Sequence, residues 1–381
     1  MTVAVGLRGI RRDLLGSFDA LLGRRVSMRS LALLRGLVGP VVVLHLHPFL
    51  SDGLHGRIYR DAFYEPYVTW YPELPRALYI GLLWVGVISA VMMSLGWRSR
   101  MSAAATFAVV AYNLFLSTTH VHNNRAFLLI VLAVLVAAPC GRELSVDSWL
   151  RTRPGMPPLD PWAPAWPLWL LRFEASAVYF ASGVSKLVDP DWFGGTVTWQ
   201  RVVQVRGQLA SSPLPGWAVT VLTNRSFHTV AAKGIVFTEL FIALGLWSRR
   251  TRYAAVWLAV WFHVAIQLSA EVEVFSFLAV AALVIWAVPS TRDRVLVVDP
   301  SAPGQRRLAN AVRALDWLAR FRIATGPPGI RPRVIDRDGC QRSGMAAVVL
   351  VFSRLPVTAL FAVPALALPP VNRAADGQPA W

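Results

Sequence analysis

The chain has 381 residues, 55% hydrophobic and only 15% charged, with 16 tryptophans and a positive mean hydropathy. That balance is too apolar for an ordinary soluble domain and describes a polytopic membrane protein. A formal charge of +17 would suit a nucleic-acid binder in a soluble chain, but here the arginines cluster beside apolar spans, where they set topology and meet anionic headgroups, so nucleic acid is excluded as a partner.

Residues 1–29 carry six arginines against two aspartates. LRGIRRDLLGSFDALLGRR spaces its leucines as a short amphipathic helix on cytoplasmic headgroups. No signal-peptide core with a cleavage site is evident there, so the first span is expected to act as its own insertion signal. Eight apolar stretches follow, at 30–49, 76–96, 101–118, 125–140, 168–188, 229–247, 253–270 and 272–289. Each is read as a membrane-spanning helix. Arg98 and Arg100, then Arg142, Arg151 and Arg153, then Arg249, Arg250 and Arg252 fall in the second, fourth and sixth connections. The third and seventh have no lysine or arginine before Arg125, and the seventh carries Glu271 and Glu273. The positive-inside rule then predicts eight crossings of the plasma membrane with both termini cytoplasmic. Cys140 and Cys340 fall on the reducing side, where no disulfide is expected. The first connection (Tyr59, Phe63, Tyr64, Tyr67, Trp70, Tyr71) and the fifth (Trp192, Trp199, Trp217) are expected to lie against the outer interface, roofing a cavity.

Past Pro289 the composition changes to an arginine-rich tail. RVLVVDP predicts a strand, RLANAVRALDWLARF an amphipathic helix, and RVIDRDGC a strand ending in an Asp-Gly turn. The apolar run Val348 to Leu368 is broken by Arg354, Pro356 and Pro364, which points to a helix packed on the tail or the membrane surface rather than a ninth span. The predicted organisation is a basic segment 1–29, a transmembrane domain 30–290 and a tail domain 291–381. The fold class is an all-α polytopic membrane protein of about eight transmembrane helices, with a small C-terminal α/β unit.

The chemistry concentrates in WPLWLLRFEASAVYFASGVSKLVDPDW, Trp166 to Trp192. Arg172, Ser176, Tyr179, Gly183 and Lys186 follow at spacings of 4, 3, 4 and 3, one polar stripe on a helix. Lipid cannot satisfy such a stripe, so it must face protein or water. All seven histidines (His45, His47, His55, His120, His122, His228, His263) fall on the predicted outer side with Lys186, Asn123, Asn124 and Arg125. Individually each suits a backbone-bonded structural role; together they suggest an outward-facing site. Metal is not expected, because His45-x-His47 and His120-x-His122 cannot present both rings on one helix face and no Cys or carboxylate completes a ligand set. Glu174, Lys233 and Glu239 suit structural intramembrane pairing, while Asp189 and Asp191 are carboxylates that would compete for Lys186.

LLRFEASAVY followed by FASGVSKLVDPDW resembles the vitamin K-dependent gamma-carboxylase and its bacterial relatives, the HTTM (horizontally transferred transmembrane) proteins. HVHNNRAFLL and WFHVAIQLSAEVEVFSFL extend the resemblance over most of residues 30–289. It implies Lys186 as general base, with His263 and Asn124 as catalytic neighbours. The stripe and the outer cluster add Arg125, His122, Tyr179, Arg172 and Trp192 as candidate substrate-binding residues, and the resemblance implies a reduced quinone of the vitamin K hydroquinone or menaquinol type as cofactor. This chain has Asn124-Arg125 where the carboxylase has Asn-His, and no counterpart of its lumenal propeptide-binding domain. Both departures disfavour peptidyl-glutamate carboxylation and leave carboxylase-like or quinol-oxidising chemistry on a quinol-like or other lipophilic small molecule as what the resemblance implies. The tail resembles the thioredoxin-like DCC proteins, with Asp299 kept but Ala302 and Gln305 at the two cysteine positions, so thiol–disulfide exchange is not expected. The competing classes are a transporter, for which no inverted repeat is evident, and a non-enzymatic membrane scaffold. The bilayer and a lipophilic small molecule are the partners implied; protein partners are not legible.

Overall fold

The computed structural model describes residues 19–58, 65–154, 156–211, 213–269, 274–287 and 293–362. The expectations for the basic segment up to residue 18, for Tyr59, Phe63 and Tyr64, for Glu271 and Glu273, and for the run beyond residue 362 lie outside these residues. In chain order the principal elements are β1 (Arg25–Ser27), α1 (Arg29–Leu54), α2 (Arg76–Leu95), α3 (Ser99–Leu116), α4 (Asn123–Ala137), β2 (Trp162–Pro164) and α5 (Trp166–Val188). They continue with α6 (Pro190–Phe193), α7 (Thr196–Gln204), α8 (Arg225–Gly245), α9 (Arg252–Ser269) and α10 (Phe275–Ala282). The tail holds β3 (Arg294–Val298), α11 (Pro303–Leu315), β4 (Phe321–Thr325), β5 (Arg333–Ile335), β6 (Gln341–Ser343) and α12 (Gly344–Arg354).

A helix occupies each of the eight apolar stretches. Among the described residues three of them, α1, α2 and α8, are long and apolar enough to cross a membrane by length and composition. The others fall short for different reasons. Helix α5 carries Arg172, Glu174 and Lys186, whereas α4 and α10 are shorter than the ~20 residues that a straight crossing needs.

The chain divides into two compact units, one built from residues before Leu170 and after Ser269, the other from Leu170–Ser269. In the first, α1 to α4 pack sequentially as antiparallel neighbours, and their ends sort into two groups. At one end, Ser27 and Arg29 meet Glu143 (2.7 and 3.2 Å), and β1 pairs antiparallel with β2. The Asp147 carboxylate accepts the N–H groups of Arg98 (2.7 Å) and Ser99 (2.8 Å), supplying the cap that α3 lacks from its own sequence. At the other end, the Thr118 N–H donates to the Glu65 carbonyl (2.8 Å). The segment just before α1 and the second and fourth connections thus share one end, and the first and third connections the opposite one. Leu78, Ile88 and Leu95 of α2 are exposed at 62%, 56% and 58%, the outward face that lipid would cover.

The tail is a two-layer α/β unit within the first compact unit. Its sheet runs β4-β3-β5-β6, with β3 parallel to β4 and the remaining pairs antiparallel. Leu296 and Val298 of β3 form one core with Leu308 and Val312 of α11 and with Leu350 and Val351 of α12. The apolar run from Val348 is therefore packed on the tail, and its helix stops at Arg354 before Pro356. The helix expected across RLANAVRALDWLARF is shorter than predicted. Asp316 accepts the N–H groups of Arg320 and Phe321 (2.8 Å each) and Ala319 adopts φ 50°, turning the chain out of α11 and into β4.

Candidate functional site

Within the unit Leu170–Ser269, the polar stripe of α5 faces α8 and α9, while Phe173 and Phe180 on the opposite side are 65% and 50% exposed. Successive turns of the stripe are each engaged. The Trp247 indole N–H donates to Ser176 Oγ (2.9 Å), and the Tyr179 hydroxyl lies 2.7 Å from His263 Nε2 with both side chains buried. Gly183 lets the helices approach: a Cβ there would sit 2.9 Å from the Leu240 side chain. One turn further, Lys186 Nζ donates to both Glu239 oxygens (3.0 Å each) and to the Ser182 hydroxyl, which itself donates to Glu239 Oε1 (3.0 Å). The Lys186 and Glu239 side chains are only 16% and 6% exposed.

The loop after α5 closes over this pair. Asp189 accepts the N–H groups of Asp191 (2.9 Å) and Trp192 (3.3 Å), capping α6 and aiming the Trp192 ring back at Lys186, whose Nζ lies 5.2 Å from the ring centroid. Asp189 is thus spent on a helix cap rather than on the lysine. Chemically the cluster is a cation and a carboxylate held in contact away from water, backed by a hydroxyl and an indole face. It can hold or pass a proton, since Nζ and the carboxylate are both titratable.

A model of the HTTM domain matches residues 24–290. The chain belongs to the HTTM domain family. No solved structure matches it. Membership and the apolar helices make this HTTM protein an integral membrane protein, and Glu239 lies on α8, one of the three helices long and apolar enough to cross the bilayer.

The sequence-predicted site residues separate. Lys186, Tyr179, His263, Trp192 and Arg172 belong to Leu170–Ser269; Lys186 gathers with Trp192 and Tyr179 with His263, while Arg172 lies fourteen residues before Lys186, ~21 Å along the helix. His122, Asn124 and Arg125 belong to the other unit. There His122 caps α4, its Nδ1 accepting the Asn124 N–H (3.3 Å), and Arg125 lies 5.3 Å from the Phe49 ring centroid and donates to the His120 carbonyl (3.1 Å). Other imidazoles are engaged with the backbone: His55 with the Ser51 carbonyl (2.7 Å), His120 with Asn113 (2.9 Å) and His228 with Leu222 (2.7 Å). Among the described residues no group of histidine, cysteine and carboxylate side chains has metal-binding geometry.

Sequence reasoning placed Glu239 among structural partners but did not join it to Lys186, and it missed Ser182. The signal was present. Ala232, Val236, Glu239 and Ala243 recur at spacings of 4, 3 and 4 and are all buried, so the carboxylate sits on the packed face of α8. Ser182 stands four residues before Lys186, one turn away on the same helix face.

Proposed function

We propose that this HTTM protein abstracts a proton from a quinol-like or other lipophilic substrate, with Lys186 as the general base and Glu239 as the group that relieves it of its proton. The observation that carries this reading is the doubly bonded contact between Lys186 Nζ and the Glu239 carboxylate, nearly closed to solvent. Transfer across that contact gives an amine and a carboxylic acid, a neutral pair that a low-dielectric interior tolerates better than separated charges. The amine lone pair then accepts a hydroxyl proton from a substrate bound against the Trp192 ring. Tyr179, two turns away on the same face of α5, and its partner His263 on α9 are assigned to substrate contact. A purely structural pair is the competing reading, favoured by Lys186 spending its donors on Glu239 and Ser182.

The reading includes eight crossings of the plasma membrane with both termini cytoplasmic. It is supported by the sorting of alternate connections of the first unit to common ends. Impermeant thiol labelling of single cysteines at Ser226 and Ser248, in a background lacking Cys140 and Cys340, is expected to modify the first from outside and spare the second. The tail is assigned a structural or partner-binding role as a thioredoxin-like unit without redox chemistry. Its mixed sheet supports this, as does Gln305, whose amide accepts the Asp299 N–H (3.0 Å) and donates to the Ile330 carbonyl (2.6 Å). The Cys340 thiol is pushed above its ordinary value by the neighbouring Asp338 carboxylate, which disfavours a reactive thiolate.

The deciding experiment is mass spectrometry of lipids retained by purified protein, with consumption of an added menaquinol-type quinol. Wild type is expected to retain a quinone-like lipid and turn over the quinol. Lys186→Met/Glu239→Gln is expected to stay folded without turnover, whereas wild-type activity in that variant would leave the pair structural.

A further inference from the structure

Between Trp192 and Thr238 the sequence has no aspartate or glutamate, yet it carries Arg201, Arg206, Arg225 and Lys233. In the topology proposed above this segment comprises the fifth, outer connection and the outer half of the sixth span, on the side where the charge bias of the third and seventh connections disfavours cations. Three of the four are held by aromatic rings. The Arg201 guanidinium lies 5.5 Å from the Trp192 centroid, on the same ring that Lys186 approaches, and Lys233 Nζ lies 5.5 Å from the Phe193 centroid. Arg225 sits 5.5 Å from the Trp199 ring.

A ring face positions a cation but does not neutralise it. Lys186 has Glu239, whereas Arg201 and Lys233 have no carboxylate partner among the described residues. Asp189 is occupied as a helix cap, and exposed Asp191 pairs with neither. The frame that carries the rings is pinned to α8. The Thr229 hydroxyl donates to the Gly194 carbonyl (3.1 Å), and Gly195 adopts φ +82° where a Cβ would lie 2.5 Å from the His228 backbone. Two exposed cations without a carboxylate partner among the described residues therefore sit over the rings of consecutive residues, one of them sharing its ring with Lys186.

We propose that Arg201 and Lys233 bind an anionic group, carboxylate or phosphate, that accompanies the chemistry at Lys186. The guanidinium fork matches such a group in two-point contact, and the ammonium adds a point charge. The inference rests on the reading of Lys186 as the reacting base for its link to turnover, but the anion site itself is measured by binding.

The test uses the full chain in phosphatidylcholine nanodiscs, with radiolabelled oleate and oleyl alcohol as matched probes and inorganic phosphate as competitor. Oleate is expected to bind about tenfold more tightly than the alcohol, with a margin that shrinks as salt rises. Arg201→Gln and Lys233→Met are each expected to weaken oleate about fivefold and leave the alcohol unchanged, with melting and gel filtration showing both variants folded. Displacement of oleate by phosphate supports the site and assigns it to a free anion; resistance to phosphate supports it as a reader of an anionic amphiphile. Equal binding of the two probes by wild type overturns the proposal, as does discrimination that survives in the Arg201→Gln/Lys233→Met double variant. Lys186→Met/Glu239→Gln retains the discrimination, so loss of turnover and loss of the anion site read out separately.

Discussion

Each compact unit holds a buried or nearly buried cation between its helices, Arg35 in one and Lys186 in the other, and the two are satisfied in opposite ways. Arg35 of α1 is 1% exposed and donates to the carbonyls of Met93 and Leu144, both at 2.7 Å. Lys186 of α5 meets a carboxylate, a hydroxyl and an indole face. Carbonyl oxygens cannot take a proton from a guanidinium that stays charged at any physiological pH, so Arg35 is a tie between α1, the end of α2 and the segment after α4. The partner of Lys186 can exchange a proton with it. Burial of charge alone does not mark a reactive site; the titratability of the partner does.

The largest effect is expected at the tie. Arg35→Ala strips two buried carbonyls of their donor and leaves a cavity, a loss on the order of 5 kcal/mol, and should appear as failure to recover monodisperse protein. Arg35→Lys should not restore it, because one ammonium cannot reproduce the two-armed geometry. A well-folded Arg35→Ala protein that has lost only activity would break the comparison. At the pair, Lys186→Met and Glu239→Gln should each cost about 3 kcal/mol by stranding the other partner, with the double replacement costing less than their sum. Additive losses in detergent melting curves would mean the two groups do not interact.

A smaller effect belongs to the close approach beside the pair. Gly183→Ala places a methyl group against Leu240, and the expected cost is ~1–3 kcal/mol. It should slightly widen the gap between α5 and α8, which a spin-label distance between the two helices would detect. An unchanged distance and melting temperature would show that Leu240 simply turns aside.

Helix positions were legible because apolar stretches of 16–21 residues announce themselves whatever they pack against. The stripe on α5 was legible for a similar reason: Ser176, Tyr179, Gly183 and Lys186 sit at helical spacing within one segment. Its partners were not, because Glu239 stands 53 residues from Lys186 and His263 stands 84 residues from Tyr179. Spacing within a helix says nothing about which helix faces it. Two strands of the tail, β4 and β6, escaped for another reason. Phe321–Thr325 follows a helical pattern without a break, and only the Asp316 side chain, recruiting two backbone N–H groups, ends the helix in time. Gln341–Ser343 is too short and polar to show alternation, and its pairing with β5 supplies what its sequence does not.

The smallest effect concerns Asp299, which mirrors Arg35 as a charge held by neutral groups. Its carboxylate accepts the Ser301 hydroxyl (2.6 Å), the Ser301 N–H (2.8 Å) and the Gly329 N–H (2.7 Å), joining the end of β3 to the loop after β4. The hydroxyl and then the amides favour the ionised form, so the carboxyl titrates below its ordinary value. A folded-state value below the unfolded one means that stability is gained by ionisation. That contribution is complete above the ordinary value of about 3.8 and is lost as pH falls through the lower folded-state value. Hydrogen-exchange protection of 294–355 in the full chain, corrected for intrinsic rates, should therefore hold at neutral pH and decline under acid. Asp299→Asn keeps the shape but removes the charge, and should show weaker protection at neutral pH with a flatter acid profile. Helices α1 to α4 should be indifferent to the change. Matching acid profiles for wild type and Asp299→Asn would show that the hydrogen bonds, and not the charge they favour, account for the contribution of this side chain.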